Sequence, residues 1–204
     1  MNKLKKYIEE KIYPLYSKND SGHGIDHINY VTERCLRFAA QFGGINSDML
    51  FVAAAYHDIA HHIDKNNHET LSAQIFYKDE RIKDFFTDEE RLIIKEAIED
   101  HRASSETLPR SDYGKIISSA DRSTSLEEFL SRTHAYTLKH TPDCTAEEML
   151  ERAFRHTAEK YGNGGYAKSY VEDEEYARFR EQINRILADR RLFDETYQKI
   201  NCTK

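Results

Sequence analysis

The sequence predicts an all-α protein, and three observations carry that prediction. Only 8 Gly and 3 Pro punctuate its 204 residues, fewer than the many turns of a sandwich or barrel need. Apolar residues recur at helical spacing almost from end to end. Helix-start patterns, two capping boxes among them, precede several of these stretches. The chain shows no repeat, linker or low-complexity tract, so a single helical domain over 1–204 is expected.

Leu4, Ile8, Ile12 and Leu15 make one face of a first helix, with Tyr7 and Tyr16 beside it. KNDSGHG reads as a loop. Ile28, Val31, Cys35, Phe38 and Phe42 mark a second helix, which Gly43-Gly44 should end. Ser47, or Asn46 before it, can cap a third, DMLFVAAAYHDIA, whose apolar surface nearly all round predicts a central position. A fourth runs through HETLSAQIFYKD. Thr87 and Glu90 form a capping box ahead of Leu92, Ile93, Ala97 and Ile98. After the loop SSETLPRS comes a helix around YGKIISSAD, and another begins near Ser125 with Leu126, Phe129 and Leu130. Thr145 and Glu148 repeat the box before Met149, Ala153, Phe154 and Thr157. NGG at 163–165 is a turn. One long final helix, roughly 173–199, aligns Tyr176, Phe179, Ile183, Ile186 and Leu187.

Composition narrows the function. The net charge is −6, from 30 basic and 36 acidic residues. A protein that binds long nucleic acid by neutralising phosphates normally carries a basic excess, so none is expected as a partner. Cys35, Cys144 and Cys202 are odd in number and form no CxxC pair, which points to reduced thiols. The N-terminus lacks the apolar run of a signal peptide, and no stretch approaches the roughly 18 apolar residues of a membrane span. A cytoplasmic protein without membrane contact is expected. The 10 Phe and 13 Tyr read as core at helical spacing.

Six of the ten histidines lie between His27 and His101. His57-Asp58 closes the apolar run FVAAAY, where an ionisable pair is costly unless coordinated or hydrogen-bonded. A divalent metal would satisfy both. Adjacent helical residues point about 100° apart, so the two converge on one ion most easily at a helix end, where this pair sits. His27, His101 and Asp121 each lie where an apolar stripe meets a helix end or loop, and His68 opens the next helix. Helix ends gathered around a buried helix can build a metal site. Imidazole and carboxylate without thiolate favour Mn, Fe, Ni, Co or Mg. Such ions bind phosphate oxygens and make hydroxide available near neutral pH. The alternative is a hydrogen-bonded polar pair inside a core.

These residues resemble the HD-domain superfamily of metal-dependent phosphohydrolases. Its signature H…HD…D is filled by His27 in GHGIDHINYV, His57-Asp58 in AAAYHDIAHH and Asp121 in IISSADRSTS. The resemblance covers about residues 20–125. The remainder, about 126–204, resembles the helical extension of nucleotide-hydrolysing members only loosely, through H-x-x-E-K at His156 to Lys160. It implies an HD-type helical bundle with additional C-terminal helices. It also implies one or two divalent ions and a small phosphorylated substrate, a nucleotide foremost.

Members with two metals add histidines between HD and the last aspartate, and His68 and His101 occupy fitting places. Asp58 would then bridge the ions. Alternatively His101 meets substrate phosphate and His68 is a surface cap. Some members carry a lysine four residues after the HD histidine; here that position is His61, followed by His62. His61 could orient phosphate or act as general acid, or stand behind the site. Arg122 could pair with phosphate or brace a carboxylate, and Lys160 is a further phosphate candidate. His134, His140 and the charge run VEDEEYARFREQ read as a solvated face. Two other functions compete: a module that binds metal and nucleotide without turnover, and a di-iron oxygenase. Oligomeric state stays open, a homo-oligomer included.

Overall fold

The computed structural model describes residues 3–201, so Cys202 lies outside the described residues. The described residues are helical with no strand, and none of the helices is long and apolar enough to cross a membrane. Cys35 and Cys144 are free thiols.

The chain packs as two units, Met1–Asp121 with Ser169–Glu172, and Arg122–Lys168 with Asp173–Lys204. In the first, α1 (Lys3–Tyr7) runs into a π-helical turn (Ile8–Ile12), a 3₁₀ stretch (Tyr13–Lys18) and a second 3₁₀ turn (Ser21–His23). Then come α2 (Ile25–Ala39), α3 (Ser47–Tyr56), α4 (His68–Lys78), a 3₁₀ turn (Glu80–Asp84), α5 (Asp88–Asp100) and α6 (Asp112–Ala120). Helix α3 packs on α2, α4, α5 and α6. Met49, Leu50 and every residue from Val52 to Tyr56 are buried, as an all-round apolar helix requires. Asn46 is its cap, its Oδ1 accepting from Asp48 N at 2.9 Å. Thr87 and Glu90 form the capping box at α5, and Ser111 caps α6.

Three elements of this unit differ from the sequence reading. The first helix is not one α-helix: the wider π turn shifts the phase of the apolar stripe. Tyr16 is therefore buried while Leu15 is 37% exposed. Helix α2 stops at Ala39, ahead of the glycine pair, and Gly44 takes φ +74° in the turn that follows. Helix α3 ends at Tyr56, so His57-Asp58 lies in the turns beyond it. The returning segment Ser169–Glu172 is tied to this unit by Tyr170 N donating to Ser119 Oγ and by Gln41 bonding Glu172 N and O.

The second unit holds α7 (Leu126–His140), α8 (Ala146–Tyr161), α9 (Glu174–Leu187) and α10 (Arg190–Asn201). Ser125 caps α7 and the Thr145–Glu148 box opens α8. Aromatic edges make its core: Phe129 on Tyr161, Tyr161 on Phe179, and Phe154 on Phe193, with centroids 4.8–5.1 Å apart. The long final helix of the sequence reading is two helices. Asp189 breaks it by accepting from Arg191 N at 3.0 Å and Leu192 N at 3.3 Å, a new N-cap. His134 is not on a solvated face: its Nδ1 shares a 2.9 Å hydrogen bond with the Tyr197 hydroxyl.

Candidate metal centre

The turn after α3 delivers His57, Asp58 and His61 because its backbone is held from outside. Asn19 Nδ2 donates to Asp58 O at 2.9 Å and to His23 O at 3.0 Å, and Asn19 Oδ1 accepts from His62 N. Ser72 Oγ accepts from Ala60 N. Buried Arg34, on α2, donates to Ala120 O at 2.8 Å and so fixes the residue before Asp121.

Three imidazoles are then turned by one device. His57 Nδ1 meets Ala54 O at 2.8 Å, His68 Nδ1 meets Lys65 O at 3.0 Å, and His101 Nδ1 meets Ile98 O at 2.6 Å. A carbonyl accepts only from N–H, so each ring holds its proton on Nδ1 and turns Nε2 inward. The Nε2 atoms of His68 and His101 stand 3.1 Å apart. Two lone pairs facing each other at that distance repel unless a proton or a cation lies between them.

Asp58 is the hinge of the arrangement. Its Oδ2 lies 3.6 Å from His27 Nε2 and 3.5 Å from His57 Nε2. Its Oδ1 lies 3.3 Å from His68 Nε2 and 3.5 Å from His101 Nε2. Asp121 Oδ1 joins the first side, 3.1 Å from His27 Nε2 and 3.9 Å from His57 Nε2. Despite these short distances, His27 Nε2, His57 Nε2 and Asp58 Oδ1 are buried without an aligned hydrogen bond. Each such atom costs roughly 1–3 kcal/mol, unless the group they converge on is a cation. The donor set fits one: His27, His57 and Asp121, and likewise His57, Asp58 and His101, are groups that could hold a divalent metal ion.

The protonation pattern of the metal-free protein has the same origin. Burial holds the His57 pKa down to about 4, keeping it neutral. Burial also opposes charge on His27, but the Asp121 and Asp58 carboxylates outweigh it and raise its pKa to about 9. Burial would push Asp58 and Asp121 up; instead the surrounding imidazoles hold both well below the usual carboxylate range. Burial and the neighbouring His101 lower His68, while Asp58, against the effect of burial, raises His101. Of the two facing rings, His101 therefore holds a proton more readily than His68.

All six residues of the sequence-derived set, His27, His57, Asp58, His68, His101 and Asp121, thus meet around one carboxylate. His61 is buried beside them, its ring centroid 5.2 Å from that of His68. Exposed His62 bonds Asn19. Arg122 is buried and donates from Nε to Lys168 O at 3.1 Å in the second unit. Lys160 there lies over the rings of Phe129 and Tyr161. Sequence reasoning missed Asn19, whose side chain bonds His23, Asp58 and His62, and it missed His23, which stacks on His61. The position of His23, four residues before His27, was the available signal.

The sequence profile of the HD domain matches residues 24–126. No curated protein matches the chain. Among solved structures the chain is similar to a protein from an uncultured Thermotogales bacterium, described as a predicted HD superfamily hydrolase. The two share 20% identity over 93% of this chain and 99% of that one, with a TM-score of 0.49.

Proposed function

The chain belongs to the HD-domain family, and on that premise we propose that it is a hydrolase of small phosphorylated metabolites, with nucleotides as the substrate class. The proposed reaction is metal-dependent cleavage of a phosphoester or phosphoanhydride bond. One observation carries this reading: the two oxygens of Asp58 serve two separate sets of inward-turned imidazoles.

In this reading His27, His57, Asp121 and Asp58 Oδ2 hold one divalent ion, and His68, His101 and Asp58 Oδ1 hold a second. A bound ion of this type supplies Lewis acidity toward a phosphoryl oxygen and makes water a nucleophile near neutral pH. The chain's own residues set the stage for that chemistry. The carbonyls of Ala54, Lys65 and Ile98 keep three rings in the ligating tautomer. Asn19 keeps the Asp58 backbone from shifting. His61, standing where some relatives carry lysine, faces the substrate phosphate. Arg122, next in sequence to Asp121, and Lys160 enter as phosphate contacts on sequence grounds alone.

The test is a panel of phosphorylated metabolites with Mn²⁺ added, read as phosphate or pyrophosphate release. His57→Ala and Asp58→Ala are each expected to abolish turnover, and full activity in either overturns the reading. The same six residues suit a di-iron oxygenase, which iron content combined with oxygen consumption would identify. Tight nucleotide binding with no turnover on any substrate would instead mark a binding module.

A further inference from the structure

A second cluster of donor side chains stands beside the first and shares no residue with it. Asp20, His23 and His61 each bring one ligand-type atom within 4.8 Å of the other two. The cluster follows from the chain: His23 precedes His27 by four residues and His61 follows His57 by four. The segments that bring the inner pair together bring the outer pair together as well. Asp20 caps the 3₁₀ turn Ser21–His23, its Oδ1 accepting from Gly22 N at 3.1 Å and lying 2.7 Å from His23 Nδ1. The His23 and His61 rings stack with centroids 3.6 Å apart and planes 21° apart. An imidazole lone pair lies in its ring plane, so one ring must turn out of the stack for both nitrogens to meet a single ion.

An independent observation marks the site as built for a ligand. His61 is only 8% exposed, yet its Nδ1 is buried with no hydrogen-bond partner. A histidine pair could also receive an anion, but the Asp20 carboxylate against His23 repels one and attracts a cation. Lys65 approaches the other carboxylate oxygen, Oδ2, at 3.7 Å, which leaves the cap oxygen Oδ1 as the one beside His23.

We propose that Asp20, His23 and His61 bind an additional divalent transition-metal ion. Two imidazoles and one carboxylate favour Zn, Ni, Co or Fe over Mg. The inference goes beyond the hydrolase reading and alters one part of it: His61 meets phosphate through this ion rather than directly. Its failure would leave the Asp58-centred reading intact.

The test titrates the metal-stripped full chain with Co²⁺ alone, counting equivalents by calorimetry and following the visible absorption of the bound ion. Wild type is expected to bind one equivalent more than His23→Ala and one more than Asp20→Asn. The asparagine keeps a cap acceptor for the turn, so its lost equivalent is not the result of an unravelled turn. Asp58→Ala, run in parallel, is expected to lose the equivalents of the main centre, so the two readings fail separately. Equal Co²⁺ equivalents, with the same spectrum, in wild type, His23→Ala and Asp20→Asn would overturn the proposal.

Discussion

His57, His68 and His101 turn Nε2 toward Asp58 because each gives its Nδ1 proton to the carbonyl three residues earlier. That anchoring makes them ligands rather than merely buried histidines. The residue types and their order were legible in the sequence, since H…HD…D survives any local rearrangement. The tautomer was not, because it depends on which carbonyl each ring meets. Protonated His27 supplies, in the metal-free protein, positive charge beside the two carboxylates. With its pKa raised to about 9, His27 carries a proton at neutral pH and must release it to coordinate. Metal titration at pH 7 in buffers of different ionisation enthalpy is expected to show proton release, and release should vanish as the pH rises past about 9. Asn19→Ala removes the bonds to Asp58 O and His62 N. It is expected to weaken metal binding about 10–100-fold, the usual cost of losing an outer partner of a metal site.

Among the elements, helix positions were legible wherever a cap and a stripe agreed, as at Thr87, Ser125 and Thr145. They were misread where a local side chain competes with periodicity. Asp189 splits one apolar stripe into α9 and α10 while leaving the 3.6-residue pattern on either side untouched. The π turn at Ile8–Ile12 exchanges Leu15 for Tyr16 by adding backbone to one turn. Three elements meet at a single carboxylate: Tyr7 of α1 and Tyr56 of α3 each donate to Asp79 Oδ2, at 2.6 Å, just beyond α4. Burial and then Asp79 raise the Tyr7 pKa to about 12 and push Tyr56 higher still. A raised tyrosine pKa means the folded state keeps a proton that the unfolded chain loses. The stabilisation is therefore complete below about pH 10 and fades as pH climbs to 12 and beyond. Denaturant unfolding across that range is expected to show this loss in wild type and a reduced loss in Tyr56→Phe.

For the whole molecule, the helical class was legible because few glycines and prolines interrupt the periodic stretches. The division into units was not, since Ser169–Glu172 returns from the second unit's sequence to the first. A boundary of that kind depends on distant contacts such as Tyr170 to Ser119. The first unit carries the convergent histidines and their unpartnered buried atoms, so its stability should depend on the ion. At 100 times its dissociation constant a ligand adds about 2.7 kcal/mol. In a protein of this size that is worth about 2–4 °C per kcal/mol. Stripping the metal is thus expected to lower Tm by roughly 5–11 °C, and re-adding Mn²⁺ should restore it. Asp58→Ala should melt at the same temperature with or without Mn²⁺. The most direct test of metal-dependent hydrolysis is phosphate release from a nucleotide panel by metal-stripped protein, before and after Mn²⁺ is returned. Mn²⁺ is expected to restore turnover in wild type and none in Asp58→Ala; turnover that ignores the metal, or survives loss of Asp58, would contradict a metal-dependent hydrolase centred on Asp58.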